Sequence, residues 1–600
     1  MSSKVTETQQ ASGVKANLSM LSRLMLKLLP VQILLAGVGA VDGLISSYFA
    51  SNYVGVTAMS AVGLYGPINT LISAISTVLM SGAAILCGIY VGRGEREKLQ
   101  KTFSLDLVLS GIISAVFILL FVILGACDLT GFFTKDPVVR AYFNDYLLGM
   151  SIGVIPLIYT MQFSSFLSLE NQGKRTTTAS AVHIVSAVIF NFIFVKQLHM
   201  EAFGVALSAG LSQWVSFLCQ AEYFVSGKSM FRLSMRSPAW KECGHVVQVG
   251  LPGALNFIYM AFCTMIVNLL IEANVGTVGI SAYATAYNVL GIFWAIPGGM
   301  AAVSRMMISI SVGEEDRQTL TDVFRVMFMR YIPLMLAVIA GIVACAGPIT
   351  GIFYHDPAEP VYQMMKAGLQ IVPWCMPFSI ICMHFSCYNQ TIERRVPVYL
   401  VSLLDGIVDI SVFTALLIRP LGVNALYVAN ILNGIVIVTF FVVYSVIKCK
   451  RLPHTMDELM VIPDDFGVPA SERMDLSVRS MEEVMTVSSQ VQAFCLAKGI
   501  DTRRAYLSAL AIEEMAGNVV LHGFTKDRRT HSVDIRVIHS GEDLILRIKD
   551  DCRAFDPGER LKAGETDEFG KNIGIKMIYE MAQEARYQNI LGLNVLTMRV

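Results

Sequence analysis

Charged residues are scarce in this chain of 600 residues: Asp, Glu, Lys and Arg together make up only 15% of it, whereas 54% is hydrophobic. Soluble domains usually carry about 25% charged residues, so the mean hydropathy of +0.58 predicts that most of the chain lies in lipid. The 46 basic and 46 acidic residues balance, and there is no basic tail. The composition therefore favours a membrane protein with no nucleic-acid partner.

Cysteine pairs of the CxxC type are missing from the 12 cysteines of the chain. Most of these cysteines lie in apolar runs, so we interpret them as small buried hydrophobes rather than metal ligands or disulfide partners. The first 20 residues are polar and lack the cleavage site of a signal peptide. We therefore expect residues 1–20 to be an N-terminal tail, followed by an apolar run that stays as a membrane anchor.

Long apolar runs dominate the rest of the sequence. A helix needs about 20 apolar residues to span the hydrocarbon, and twelve suitable runs lie near 24–50, 57–92, 103–126, 146–169, 177–198, 203–226, 246–272, 278–310, 322–347, 362–388, 396–418 and 422–447. Basic residues cluster after the even-numbered runs, which places both termini in the cytoplasm by the positive-inside rule. We expect a multi-pass protein of the inner (plasma) membrane, with the lipid bilayer as its surroundings.

The two halves of this apolar region repeat each other. "NYVGVTAMSA" (52–61) matches "NVGTVGISA" (274–282), in which Val275 stands at a shift of 221 positions from Val54. "FFTKDP" matches "IFYHDP" at a shift of 220 positions. Each repeat holds six spans, and an even number of spans restores the same orientation. The pattern therefore predicts two lobes related by an axis along the membrane normal.

The order of these motifs resembles the multidrug and toxic compound extrusion (MATE) transporters over roughly residues 20–450. The resemblance rests on Asp42 in the first span, "VGRGE" after the second, "LENQGKRTT" after the fourth and "GLPGALNF" at the start of the second lobe. It implies an all-α polytopic fold with an N-lobe over 21–230 and a C-lobe over 231–450. It also implies export of organic, drug-like, often cationic compounds, coupled to inward flow of H⁺ or Na⁺.

Four polar positions in the spans are candidates for ion coupling. Asp42 lies where the family places an ion-coupling aspartate, and a carboxylate in lipid is costly enough to be functional by default. Where family members often carry an Asp in the fifth span, this chain has Asn191, which cannot titrate. Asp405 and Asp409 lie one turn apart in the eleventh span, and Asp409 is the repeat partner of Asn191. Coupling is shared between the lobes or shifted to the second, and a structural role for Asp409 stays an equal alternative.

The composition changes after Arg451. Residues 451–475 are predicted to be a polar linker rich in Pro and Asp, and a soluble domain is predicted over 476–600. The hydrophobic pattern predicts helices at 480–498, 501–523 and 572–584 and strands at 531–540, 543–551 and 593–600. We expect a small α/β sandwich, of a size at which a domain folds independently.

Three motifs in this domain resemble the GHKL (histidine kinase-like) ATP-binding fold, and specifically the serine kinases of the anti-sigma-factor type. "EEMAGNVVLHG" puts Glu514 and Asn518 on one helix face, "KDDCRAFDP" contains Asp550, and "GKNIGIKMI" contains Gly570 and Gly574. The resemblance implies that Asn518 binds the Mg²⁺ of Mg-ATP and that Glu514 is the general base. It also implies that Asp550 accepts the adenine amino group, and that the two glycines let the backbone approach phosphate.

Enzymatic activity is left open by the sequence. Cys552 and Ala554 stand where the ATP-binding family usually has glycines, which weakens the case for serine kinase or ATPase turnover more than the case for nucleotide binding. A sensor histidine kinase needs a phosphoacceptor His on a helical hairpin, and only His454, amid prolines, is available. A flippase for lipid-linked sugars is the other alternative. We favour an antiporter regulated by its cytoplasmic nucleotide domain, with a cytoplasmic regulatory protein as a candidate partner.

Overall fold

A computed structural model describes residues 2–49, 53–54, 56–132, 137–232, 240–526, 531–540, 543–558 and 573–600 of the chain. Gly570, which the third motif predicts to be a phosphate-binding glycine, lies outside the described residues.

The first half of the chain is helical, because in lipid every backbone donor and acceptor must be bonded within its own segment. Its α-helices are α1 (Ser2–Phe49), α2 (Val56–Arg93), α3 (Arg96–Ala126), α4 (Pro137–Ser151), α5 (Val154–Leu169), α6 (Gly173–Asn191) and α7 (Glu201–Val225).

The second half repeats this helical pattern with more interruptions. Its α-helices are α8 (Cys243–Asn274), α9 (Thr277–Gly313), α10 (Arg317–Val326), α11 (Ile332–Ala344), α12 (Ala346–Phe353), α13 (Pro360–Ile371), α14 (Met376–Thr391), α15 (Arg395–Leu403), α16 (Asp409–Leu421) and α17 (Asn424–Cys449). Wider π-helical turns connect α10 to α11 and α15 to α16, at Met327–Tyr331 and Leu404–Val408. Asp405 lies in the second of these turns, so the predicted eleventh span is continuous but locally unwound.

Within the described residues, eleven helices are long and apolar enough to cross a membrane, and a bent pair raises the number to twelve. The pair is α4 and α5, which meet at 49° where the sequence predicts one straight span near 146–169. Two features cause the break. Pro156 lacks the backbone N–H that would continue the helix, and Gly153 packs directly on the Cα of Gly210 in α7.

The two lobes are in backbone contact along one half of α2. A β-carbon at Gly82 of α2 would collide with the carbonyl of Val246 in α8, and one at Gly250 of α8 would collide with the carbonyl of Val78. Small residues allow helices in membranes to approach this closely. Gly313, at the end of α9, makes the same kind of contact with Ile89. The lobes are therefore closed against each other at the end of the molecule where α2 and α9 terminate.

The C-terminal part of the chain is a small α/β sandwich, as the sequence predicts. Its elements are α18 (Met456–Met460), β1 (Arg473–Val478), α19 (Met481–Ala497), α20 (Thr502–Asn518), β2 (Val533–Ser540), β3 (Asp543–Asp550), α21 (Ile573–Met581), β4 (Glu584–Ile590) and β5 (Leu593–Arg599). The five strands form one sheet that is antiparallel throughout, in the order β1-β2-β3-β5-β4.

Three predicted elements of this domain differ from the structure. The predicted linker over 451–475 contains α18 and the first residues of β1. The predicted helix over 572–584 ends at Met581, and Glu584 already belongs to β4. The predicted helix over 501–523 ends at Asn518 and continues as a π-helical turn, Val519–Gly523. Both missed strands are half-buried along nearly their whole length, so they lack the alternation that marks a strand in sequence.

The sheet has an apolar inner face and a charged outer face. Ile535 and Val537 of β2 and Leu546 and Ile548 of β3 are buried in one cluster with residues of α19, α20 and α21. Because successive strand residues point to opposite faces, their neighbours point away from the helices. These outward residues include the cations Arg536, Arg547 and Lys549.

Candidate functional site

The predicted nucleotide site is built around the last turns of α20. This helix begins at Asp501, whose side chain accepts a hydrogen bond of 3.0 Å from the backbone N–H of Arg504. Of the two adjacent glutamates near its end, Glu513 accepts a hydrogen bond from Ser488 of α19 and so joins the two helices. Glu514 instead points at α21, where a β-carbon on Gly574 would collide with its carboxylate. The structure thus brings Glu514 and Gly574 of two separate motifs together.

Asp550 ends β3 and is 4% exposed. Its Oδ1 accepts two hydrogen bonds, one of 2.8 Å from the Asn594 amide and one of 2.9 Å from the backbone N–H of Cys552. These two donors fix the orientation of the carboxylate on the inner side of the sheet. An oriented, buried carboxylate is what the recognition of an exocyclic amino group needs.

Burial raises the pKa of Asp550, and the hydrogen bonds from Asn594 and Cys552 counteract part of that rise. The ionised carboxylate is the stronger hydrogen-bond acceptor. Its population falls as the pH drops through the raised pKa, so any amino group held by Asp550 is held best at neutral pH and above.

Asn594 is a site residue that the sequence motifs do not contain. It lies on β5 directly opposite Asp550, and the hydroxyl of Tyr587 donates a hydrogen bond of 2.7 Å to its Oδ1. Asn589 donates a second hydrogen bond of 2.8 Å to the same oxygen. The signal in the sequence is weak: a lone asparagine near the start of an otherwise apolar strand.

The cysteine that departs from the family pattern is buried beside the site. A β-carbon on Gly523, at the end of the π-helical turn, would lie 3.1 Å from the Cys552 sulfur. The His531 Nδ1 and an Asp551 oxygen are 2.8 Å apart. Donor atoms of His531, Asp551 and Cys552 all lie within 4.8 Å of one another. This spacing is compatible with a soft divalent cation.

In the membrane domain, Asp42 of α1 pairs with a histidine. The His183 Nε2 of α6 lies 3.2 Å from the Asp42 Oδ1, and the two side chains are 1% and 21% exposed. Tyr146 of α4 lies within electrostatic reach of the same carboxylate and packs against Tyr65 of α2, with ring centroids 5.3 Å apart. The first-span aspartate is therefore the centre of a polar cluster between four helices of the N-lobe.

The other three predicted coupling residues lie in different surroundings. Asn191 is buried at the end of α6, where its amide donates a hydrogen bond of 2.8 Å to the Ala187 carbonyl. Asp405 accepts a hydrogen bond of 2.8 Å from Asn433 of α17. Asp409, 7% exposed, lies within electrostatic reach of Asp405.

Asp106 is a further carboxyl group inside a span, and the sequence motifs give no reason to select it. It lies in α3 and is 1% exposed, and within the described part of the chain neither of its carboxylate oxygens has a hydrogen-bond partner. A single acidic residue in the third apolar run is the only signal available in the sequence. An ionised carboxylate in such a place would be costly.

These features define a membrane protein of two repeated helical lobes, joined to a small α/β domain. Residues 40–193 and 252–412 match the model of the MatE family, and residues 479–600 match the model of the histidine kinase-like ATPase domain. The chain belongs to the MatE family and carries a C-terminal histidine kinase-like ATPase domain.

Two curated relatives are similar to part of the chain. The probable multidrug resistance protein NorM of Rhizobium meliloti is 24% identical over 244 residues, which is 38% of this chain and 49% of that protein. Multidrug and toxin extrusion protein 1 of Pongo abelii is 23% identical over 251 residues, which is 40% of this chain and 42% of that protein. The chain thus spans less than half the length of the curated relatives it matches.

Solved structures of related transporters have the same fold over most of the chain. An outward-facing conformation of a multidrug resistance MATE family transporter superimposes with a TM-score of 0.64 at 19% identity, covering 71% of this chain and 95% of that chain. A MOP superfamily transporter from Pyrococcus furiosus superimposes with a TM-score of 0.63 at 19% identity, covering 73% and 98%. At this identity the likeness shows the fold alone.

Proposed function

We propose that the protein is a secondary active antiporter that exports organic, often cationic, drug-like compounds in exchange for H⁺ or Na⁺. The observation that carries this proposal is the Asp42–His183 pair, whose facing atoms are 3.2 Å apart between two helices of the N-lobe. An ionisable pair inside the membrane is costly and marks an ion or substrate path. The names of the two curated relatives, a multidrug resistance protein and a multidrug and toxin extrusion protein, support the class of substrate.

Ion binding at the Asp42–His183 pair would change the packing of the N-lobe helices. A proton or Na⁺ on Asp42 neutralises the carboxylate and removes its attraction for His183, so that α1 and α6 are free to repack. A ligand shifts a conformational equilibrium only by its different affinity for the two states. Asp405 and Asp409 are candidates for the same role in the C-lobe, because they are close enough for the charge of one to affect the other.

The membrane orientation of this proposal follows from the basic residues. The positive-inside rule puts both termini in the cytoplasm of a plasma-membrane protein. The N-lobe would then occupy 21–230, the C-lobe 231–450, the linker 451–475 and the ATPase domain 476–600. In this arrangement the ATPase domain meets cytosolic ATP.

The residues of the ATPase domain fit Mg-ATP. Asn518 would hold the Mg²⁺, and Asp550 would hold the adenine amino group. Gly574 has no side chain, and any larger residue there would collide with the Glu514 carboxylate. Glu514 would accept a proton from an attacking hydroxyl or water. We assign the domain a regulatory role, in which ATP controls transport and the ion gradient drives it.

Transport by proteoliposomes tests this function. The purified protein should export a cationic dye under an imposed inward H⁺ or Na⁺ gradient with no ATP present. Asp42→Asn should insert normally and lose most of this export, because an amide cannot bind and release the ion. Asp128→Asn is the matched control, since Asp128 is an exposed aspartate outside the spans that pairs with Arg140.

Two outcomes contradict the proposal. If export stops whenever ATP is omitted despite a full gradient, the ATPase domain is a motor and the antiporter assignment is wrong. If Asp42→Asn exports at the native rate, coupling does not use the first-span aspartate, and Asp405 and Asp409 become the residues to change.

A further inference from the structure

The outer face of the ATPase sheet lies against the loops of the transporter instead of facing solvent. Two short ion pairs connect β2 and β3 to the loop after α9, and two longer ones, Arg547 to Glu314 and Lys549 to Asp316, add to them. The Arg536 Nη1 is 2.6 Å from an Asp316 oxygen, and the Lys549 Nζ is 2.6 Å from a Glu314 oxygen. All four side chains are at least four-fifths buried: Asp316 is 2% exposed, Glu314 4%, Arg536 11% and Lys549 17%. This part of the contact is made with the C-lobe.

The same sheet also contacts the N-lobe. Arg586 of β4 donates a hydrogen bond to the Gly94 carbonyl in the loop after α2. The backbone N–H of Leu591 donates one of 3.3 Å to the Leu169 carbonyl at the end of α5. We call the transporter surface formed by Gly94, Leu169 and Glu314–Asp316 the docking face. It lies at the end of the molecule where the two lobes are closed against each other.

The ion pairs are held in place from both sides. Burial alone would raise the pKa of Asp316, but Arg536 and Lys549 outweigh burial and hold that pKa well below its usual range. Asp316 is also fixed to the C-lobe, since it accepts a hydrogen bond of 2.9 Å from the backbone N–H of Thr319 at the start of α10. Asp475 of β1 accepts a second hydrogen bond from Arg536, so the guanidinium is oriented within the sheet.

We propose that the outer face of the ATPase sheet is a clamp that holds the two lobes together on the docking side. Alternating access requires the lobes to separate on each side of the membrane in turn. The sheet is bonded to the Gly94 and Leu169 carbonyls of the N-lobe and to carboxylates of the C-lobe. It must release one of these two sets of bonds before the docking side opens. The inference rests on the proposed function only in assuming that the lobes move.

The packing of the contact suits a reversible clamp. A small pocket lies between α1, α9 and the sheet, lined by Leu24, Met307 and Leu593 together with the Lys549–Glu314 pair. Contacts between domains that move are more polar and less completely packed than a permanent core. This one combines ion pairs with a small pocket beside them.

Cysteine labelling of the full-length protein tests the clamp without substrate, gradient or nucleotide. Cys87 of α2 is fully buried and adjoins Gly88, which packs on Ser309 of α9 in the other lobe, so it should react faster with a maleimide when the docking side opens. Lys549→Glu places a third negative charge beside Glu314 and Asp316, so the clamp should release. We expect the labelling rate of Cys87, measured by peptide mass spectrometry, to rise at least fivefold.

A double variant in which the two charges are exchanged tests whether the ion pair itself controls the labelling rate. Glu314→Lys should release the clamp by itself, and the double variant Glu314→Lys with Lys549→Glu should label more slowly than either single variant. The restoration should be partial, because position 549 still faces Asp316 and position 314 still faces Arg547. Arg599→Ala is the matched control, because Arg599 pairs with Asp543 on the sheet and with no transporter residue that the structure describes. Its labelling should stay native.

Native labelling in both single variants would overturn the clamp, whether or not the domain has detached. Labelling of the double variant as fast as that of the single variants would also overturn it, since the charges would then act through misfolding. Failure of gradient-driven export would leave this result unaffected, because the labelling uses neither gradient nor substrate.

Discussion

Asn594→Ala should weaken nucleotide binding by the full-length protein about tenfold. The Asn594 amide supplies one of the two hydrogen bonds at the Asp550 Oδ1, at 2.8 Å, and the backbone N–H of Cys552 supplies the other. A hydrogen bond to a charged group contributes about 1.5–3 kcal/mol. Because one donor remains, we take the lower end of that range, and about 1.4 kcal/mol is a factor of ten in affinity.

The same substitution should change the pH dependence of binding. Asn594 stabilises the ionised form of Asp550, so without it the pKa of the carboxyl rises further above its ordinary value. The pH below which ATP affinity falls should therefore move upward in Asn594→Ala. A purely structural role for Asn594 would lower affinity at every pH without moving this midpoint.

The assay is titration of the detergent-purified full chain with a fluorescent ATP analogue, from pH 5 to pH 8. Asn589→Ala is the matched control. Asn589 bonds the far oxygen of Asn594 and leaves the bond to Asp550 in place, so its effect should stay below threefold. Native affinity and a native pH midpoint in Asn594→Ala would refute the assignment of Asp550 as the residue that holds the adenine.

Three further predictions concern single side chains. Asn518→Ala should lower Mg-ATP affinity, measured by titration. Glu514→Ala should leave binding nearly intact and abolish any ATPase or kinase turnover, measured by phosphate release. Equal loss of binding in both variants would contradict the division of roles. Gly574→Ala should reduce turnover more than nucleotide affinity, because its methyl group would displace the Glu514 carboxylate, and native turnover would contradict the role of Glu514 as general base. Asp106→Asn should leave the thermal unfolding temperature unchanged or higher, because the neutral amide replaces a buried carboxyl group; a drop of several degrees would mean that Asp106 is ionised and paired.

The sequence was sufficient for the features that depend on hydrophobicity and short-range spacing. Apolar runs long enough to cross lipid predict the spans, and the shift of 221 positions between Val54 and Val275 predicts the two lobes. The Glu514 and Asn518 pair needs only one turn of helix to reach one face. Each of these is set by residues that are close in the chain or by bulk transfer into lipid.

The features that the sequence could not reveal depend on which surfaces meet. Strand β4 is half-buried on both faces over most of its length, so it has no apolar alternation, and the pattern predicts no strand between the helix over 572–584 and the strand over 593–600. Arg536 and Lys549 have the pattern of solvated residues on an exposed strand face. Their partners Asp316 and Glu314 are more than 200 positions away, in a loop that belongs to the transporter.

Strand β3 brings the two functions of the chain within one residue of each other. Lys549 points to the docking face and binds Glu314, and the next residue, Asp550, points to the inner side and is bonded by Asn594. Asp551 follows and lies 3.7 Å from Arg23 of α1. Because alternate strand residues are fixed to opposite faces of one backbone, a shift of β3 that follows nucleotide binding at Asp550 must move Lys549 against the C-lobe. Mg-ATP should therefore change the labelling rate of Cys87 in the native protein, and it should change it less in Lys549→Glu, where the connection to the C-lobe is already broken; an equal response in both proteins would place the coupling outside β3.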